Sequence, residues 1–111
     1  MARCKGTVDE ARAMIVCISS DAEQDLAEGF WFYERQEFGL GDYYRSCLMS
    51  DIESLSYFGG IHEMVDGHHR ALSKRFPFGI YYIVSGATLT VVAVLDMRQD
   101  PSWIRSQLKR Q

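Results

Sequence analysis

Between Arg75 and Leu95 the chain reads Arg75-Phe-Pro-Phe-Gly-Ile-Tyr-Tyr-Ile-Val-Ser-Gly-Ala-Thr-Leu-Thr-Val-Val-Ala-Val-Leu95. No other stretch restricts the fold as much. Phe78, Ile80, Tyr82 and Val84 alternate with Tyr81 and Ile83, the period of a pleated strand. The run from Leu89 to Leu95 is rich in β-branched residues, which suit a buried sheet. Gly86 supplies the positive φ of a tight hairpin turn, expected at Ser85-Gly86. Pro77 has no N–H for a ladder and marks the start of the first strand. A hairpin with apolar residues on both faces must be covered on both faces.

The rest of the chain supplies that cover. Its 111 residues are enough for one domain, and 47% hydrophobic against 24% charged residues is the balance of a globular chain. The longest apolar run, Leu89 to Leu95, is too short to span a membrane. The start shows no apolar core behind basic residues, so no secretory signal is read. Cys4, Cys17 and Cys47 are odd in number and lack CxxC spacing, from which reduced thiols and a cytoplasmic location are expected. Residues 1–13 are polar and without period. They read as a flexible leader before a single domain over 14–111, and Met14 is an alternative start.

Met14 to Ile18 reads as a short strand. Ser20-Asp-Ala-Glu23 fits a capping box opening a helix with Ala22, Leu26, Phe30 and Tyr33 on one stripe. Gly39-Leu-Gly41 breaks it, and a second helix over about Asp42 to Tyr57 carries Tyr44, Leu48, Ile52 and Leu55. A break this short makes an antiparallel helix hairpin. Trp31, Phe32 and Tyr43 are read as packing groups. After Gly59-Gly60, residues 61–67 are read as a loop and His68 to Phe76 as a strand. Asp100-Pro101 then opens a last helix, with Asp100 as N-cap and Pro101 at N1. Trp103, Ile104 and Leu108 are expected to face inward.

The resulting order is β-α-α-β-β-β-α. It describes an α+β domain, an antiparallel sheet with an N-terminal helix hairpin on one face and a short C-terminal helix. Two main helices cover one face of the sheet. The last helix is too short for all of the other, so an apolar strip is left for a protein partner.

Charge divides along the chain. Residues 1–59 hold five Lys/Arg against eleven Asp/Glu, and residues 60–111 hold seven against four. The basic half is too weakly charged for a general nucleic-acid binder. Arg70, Lys74, Arg75 and Arg98, with His68, Tyr81, Tyr82 and Asp96 expected nearby, are the candidate phosphate-binding group. Arginine and lysine also serve to guard an edge strand, and that reading stays open. His62, His68 and His69 have no metal-ligand spacing, and adjacent strand residues point apart, so no metal is expected. No Walker, dinucleotide or GxSxG motif is present, and no cofactor is expected.

These residues resemble the RelE/ParE toxins of bacterial type II toxin–antitoxin (plasmid stabilisation) systems. The resemblance is carried by Ala22-Glu-Gln-Asp-Leu26, Phe32-Tyr33-Glu34, Gly39-Leu-Gly41 and His69-Arg70. Arg75-Phe-Pro-Phe-Gly-Ile-Tyr-Tyr82 and Ala93-Val-Leu-Asp-Met-Arg-Gln-Asp-Pro101 with Trp103 continue it, so that it spans Met14 to Leu108. It implies a growth-inhibiting toxin, a cognate antitoxin partner and a toxin–antitoxin hetero-oligomer. Tyr81, Ile83 and Trp103 are the residues expected to meet the antitoxin. The RelE-like branch cleaves messenger RNA on the ribosome, whereas the ParE-like branch binds DNA gyrase without chemistry. RNA-cleaving members carry an arginine roughly where this chain has Gly79, and often a histidine or tyrosine where Trp103 or Ile104 falls. Arg70, Lys74 and Arg98 are the catalytic candidates if RNA is cut. The glycine favours the gyrase-binding branch, a binder rather than an enzyme. A third alternative is a non-toxic module that binds its partner within an autoregulatory repressor complex.

Overall fold

The computed structural model describes residues 3–5 and 14–110. In chain order the elements are β1 (Arg3–Lys5), β2 (Ile15–Ile18), α1 (Ser20–Glu34), α2 (Leu40–Phe58), β3 (Met64–Val65), β4 (His68–Leu72), β5 (Phe78–Ser85), β6 (Thr88–Asp96) and α3 (Pro101–Leu108). They form one sheet in the order β1-β2-β6-β5-β4-β3. The α+β architecture matches expectation. The sheet is mixed, however: β2 runs parallel to β6, while every other pair is antiparallel. The helix hairpin carries the chain back to the far side, so the first long strand and the last meet side by side.

The β5–β6 hairpin turns at Gly86-Ala87, one residue later than expected, with Ser85 opposite Thr88. Gly86 has φ +60°, the left-handed value a two-residue turn asks of its first residue. A bulge follows: Tyr81 faces Ala93 but Tyr82 faces Val91, leaving Val92 as the extra residue. Val92 and Ala93 both join the α3 side, while Leu89, Val91 and Val94 face the helix hairpin.

Three boundaries differ from the sequence reading. Residues 61–67 are not one loop, because Met64–Val65 pairs with His68–His69 across Asp66-Gly67. Both turn residues have positive φ, 52° and 81°, the Asp-Gly signature of a tight hairpin. The strand after it stops at Leu72, so Arg70 and Lys74 do not share a strand face. Within the expected leader, residues 3–5 pair with β2, and its other residues lie outside those described. This pairing sets Cys4 opposite Cys17 in the ladder, and Cys17 is disulfide-bonded rather than reduced. Cys47 is a free thiol.

The helices form for local reasons. Ser19, not Ser20, caps α1, its hydroxyl accepting from the Ala22 amide at 3.1 Å. At the elbow the Glu34 carboxylate accepts from the amides of Gly39 and Gly41. That satisfies first-turn donors of α2 and fixes the antiparallel return. Asp100 caps α3 through the Ser102 amide at 3.0 Å, with Pro101 in the first turn. Two apolar clusters result. The larger lies between the helix hairpin and one sheet face, around Tyr44, Leu48, Ile52, Ile80 and Tyr82. The smaller lies under α3, joining Tyr81, Val92, Ala93 and Leu95 to Ile104 and Leu108. Trp31, Phe32 and Tyr43, expected to pack inside, instead lie largely on the surface, because the hairpin's inner stripe is already filled.

Candidate functional site

The side chains on the α3 face are set by alternation along each strand. Tyr81 and Ile83 follow one another on β5, Arg70 and Leu72 on β4, and Ile15 and Cys17 on β2. Only one end of this face is covered. Tyr81 is 0% exposed beneath α3, whereas Ile83 is 44%, Ile15 46% and Leu72 61% exposed. Trp103, on the first turn of α3, is 39% exposed at the edge of the covered part. The expected contact set therefore divides: Ile83 and Trp103 reach the surface, and Tyr81 does not. Its ring fills the small core, a role its alternation could not distinguish from exposure.

The four cations expected to cluster are instead spread over three places. Arg70 lies on the α3 face, ion-paired with Glu63 and next to the Tyr81 hydroxyl. Burial raises the Tyr81 pKa and the guanidinium beside it works in the opposite direction. Arg98 lies on the helix-hairpin side, held to Asp96 by two hydrogen bonds of 3.0 and 2.8 Å. The Arg98 guanidinium keeps the Asp96 carboxyl below its ordinary range. Lys74 and Arg75 sit on the β4–β5 loop against α2, lining a small cleft. Two sides of a sheet separate Arg70 from Arg98, so these groups do not converge on one phosphate.

Gly79 is not an empty position. A Cβ built there would stand 2.7 Å from the Met97 sulfur and 3.1 Å from the Tyr81 ring. The Tyr81 hydroxyl contacts the same sulfur at 3.4 Å. Met97 thus occupies the space that a longer side chain at this position would need.

Sequence reading missed a polar group on the other face. The His62 Nδ1 and the Tyr82 hydroxyl lie 2.6 Å apart, and the Gly60 amide donates to that hydroxyl at 2.9 Å. His69 stacks on the Tyr82 ring, centroids 5.0 Å apart, and donates from Nδ1 to the His62 carbonyl at 2.8 Å. A carbonyl only accepts, which places a proton on His69 Nδ1. Burial, and next to it the neighbouring His69, push the His62 pKa down. The hydrogen bonds of Gly60 and His62 to the Tyr82 hydroxyl, with the bond from His69 to the His62 carbonyl, tie the 59–63 segment to β4 and β5. The Asp66-Gly67 turn was the available signal, since it brings the two histidines together. Among the described residues, no group of three or more His, Cys, Asp or Glu side chains is placed to hold a metal ion.

A wider cleft of about 550 Å³ opens between α1 and α3, where β2 has ended and β6 continues. Phe32, Trp103, Arg98 and Asp96 line it. Its floor is closed by Asp25, whose carboxylate accepts from the Val94 amide at 3.0 Å and pairs with Arg110. Burial raises the Asp25 pKa against the opposing pull of Arg110.

No family model and no curated protein matches this chain. Among solved structures, a chain of the chromosomal ParDE TA system from P. aeruginosa superimposes with a TM-score of 0.62 at 15% identity. The match covers 76% of this chain and 96% of that one. The two share a fold. No helix among the described residues is long and apolar enough to cross a membrane.

Proposed function

We propose that this chain is the toxin of a type II toxin–antitoxin pair, acting by binding a target such as DNA gyrase and silenced by its cognate antitoxin. The fold shared with nearly the whole of a ParDE chain carries the proposal. The half-covered face adds to it. Ile15 and Ile83 form an apolar strip that α3 leaves open at one end of the face, while Leu72 and Trp103 are exposed apart from it, towards the other end. Such a strip is the contact an antitoxin segment would bury. The exposed cations Lys74, Arg75 and Arg98 are the target contacts, Arg98 reaching solvent although paired with Asp96, while the more buried Arg70 is tied to Glu63. Gly79, where RNA-cleaving members of the resembled family carry an arginine, supports a binder over a nuclease.

The test is expression of residues 1–111 alone in bacteria, with and without the reading frame encoded beside it. Growth arrest relieved by the neighbour, with relaxed plasmid accumulating in a supercoiling assay, is expected. Codon-phased cuts in translated message would instead make it a ribosome-dependent endoribonuclease. Absence of arrest would leave a non-toxic partner of a repressor complex. Ile83→Arg, on the exposed strip, is expected to remain toxic and to escape the neighbour's relief.

A further inference from the structure

The small cleft beside α2 holds two of the cations proposed as target contacts, Lys74 and Arg75, together with groups that the toxin reading does not use. Its volume is about 310 Å³, and its walls are Tyr43, Ser46, Cys47, Ser50 and Asp51 from α2 with Lys74 and Arg75 from the β4–β5 loop. The helical residues recur at three- and four-residue steps, which puts them on one face.

The loop is fastened at both ends. The Ser73 hydroxyl donates to the Asp51 carboxylate at 2.8 Å, and the Lys74 amide donates to the same oxygen at 3.2 Å. Two residues later the Phe76 ring packs against Tyr33, Tyr44 and Tyr43, centroids 4.9, 5.3 and 5.7 Å apart. The backbone that carries the cations is therefore held in place between these anchors before any ligand arrives, which lowers the cost of binding. Asp51, the carboxylate on the wall, holds the loop with one oxygen.

Arg45, Arg70, Arg98 and Arg110 each hold a carboxylate. Lys74 and Arg75 form no ion pair among the described residues. Beside them stand two serine hydroxyls able to donate, and the half-exposed ring of Tyr43. Two unpaired cations with hydroxyl donors suit a phosphate dianion, and an exposed aromatic ring beside them suits a base plane.

We infer that this cleft binds a mononucleotide, its phosphate on Lys74, Arg75, Ser46 and Ser50 and its base on Tyr43. The size favours a small ligand, at the lower end of the roughly 300–1,000 Å³ usual for ligand pockets. Two cations on a chain of net charge −3 are too few to track a nucleic-acid backbone.

Calorimetric titration of the full chain with adenosine and guanosine 5′-monophosphates tests this, with adenosine, inorganic phosphate and a short single-stranded DNA as comparisons. Binding of at least one mononucleotide is expected, with adenosine and phosphate each weaker by about tenfold or more. Lys74→Gln with Arg75→Gln, both exposed, should melt as the parent does and lose about tenfold in affinity. Tyr43→Ala should weaken the nucleotide and leave phosphate unchanged. No binding up to about 10 mM, or binding unaffected by the double substitution, overturns the inference. Equal affinity for phosphate and nucleotide overturns the base subsite, and tighter DNA binding through the same residues overturns the mononucleotide. Lys74 and Arg75 are also among the proposed target contacts; nucleotide affinity is read on the isolated chain and growth arrest on expression, so either reading can fail without the other.

Discussion

The two faces of the sheet are built from similar strands but finished differently. On one, helices of 15 and 19 residues extend about 22 and 28 Å, enough to roof a β5 strand of eight residues, about 27 Å long. On the other, the eight residues of α3 extend about 12 Å and roof half of it. The first face holds Tyr44, Leu48, Ile80 and Tyr82 wholly buried, while the second buries Tyr81 and leaves Ile83 in water. Helix length, more than strand composition, decides where the core ends and the surface begins. One face is closed by the helix hairpin, and the other is left with exposed apolar area.

Substitution can break this contrast. Leu48→Ala, at the centre of the roofed face, should cost about 3 kcal/mol in a urea unfolding titration. A cost near zero would mean that the helix hairpin is not closely packed on the sheet.

Arg110→Met removes the partner of a buried carboxylate and should cost about 3 kcal/mol at pH 7. The sign with pH is specific. Burial already raises the Asp25 pKa, and losing Arg110 raises it further, so the folded variant binds more protons than the unfolded chain above pH 3.8. The deficit against the parent should be smallest near pH 4 and grow as pH rises through the variant's folded value. A deficit independent of pH would exclude Asp25 as its source.

Leu108→Ala, under α3, should cost about 2 kcal/mol, less than Leu48→Ala, because the site opens to solvent more easily. Protection from hydrogen exchange should fall at Val92 to Leu95 before it falls in α2. The His62 group gives a smaller effect. Its pKa is lowered in the folded chain, so the unfolded chain takes up the proton first. Stability is full above the ordinary value of 6.5 and declines as pH falls below it, towards the folded value. His62→Gln should flatten that decline between pH 7.5 and 5.5. Ile83→Ser, on the open strip, should change stability by less than about 0.5 kcal/mol while weakening binding of the proposed antitoxin. A larger loss would place Ile83 in the core and close the strip.

Much of this was legible in local sequence. The β5–β6 hairpin, the helix stripes and the Asp100-Pro101 helix start depend on alternation, 3.6-residue period and capping, all confined to a few neighbouring residues. Tyr81 and Ile83 share one face by the same alternation, yet whether α3 reached them was not written in either. The basic group failed for a related reason. Bringing Arg70 and Lys74 together requires an unbroken strand to Phe76, but the chain leaves the sheet at Leu72 and Asp51 draws the loop to α2. The His62–Tyr82–His69 group likewise required two strands and a turn to be brought into register.

By itself the sequence determined the kinds and order of the main elements, and that one sheet face would be incompletely covered. Tertiary structure alone decided that β2 lies parallel to β6, that the arginines separate, and that Met97 fills the space at Gly79. Each of these depends on contacts between residues far apart in the chain, which periodicity and capping do not encode.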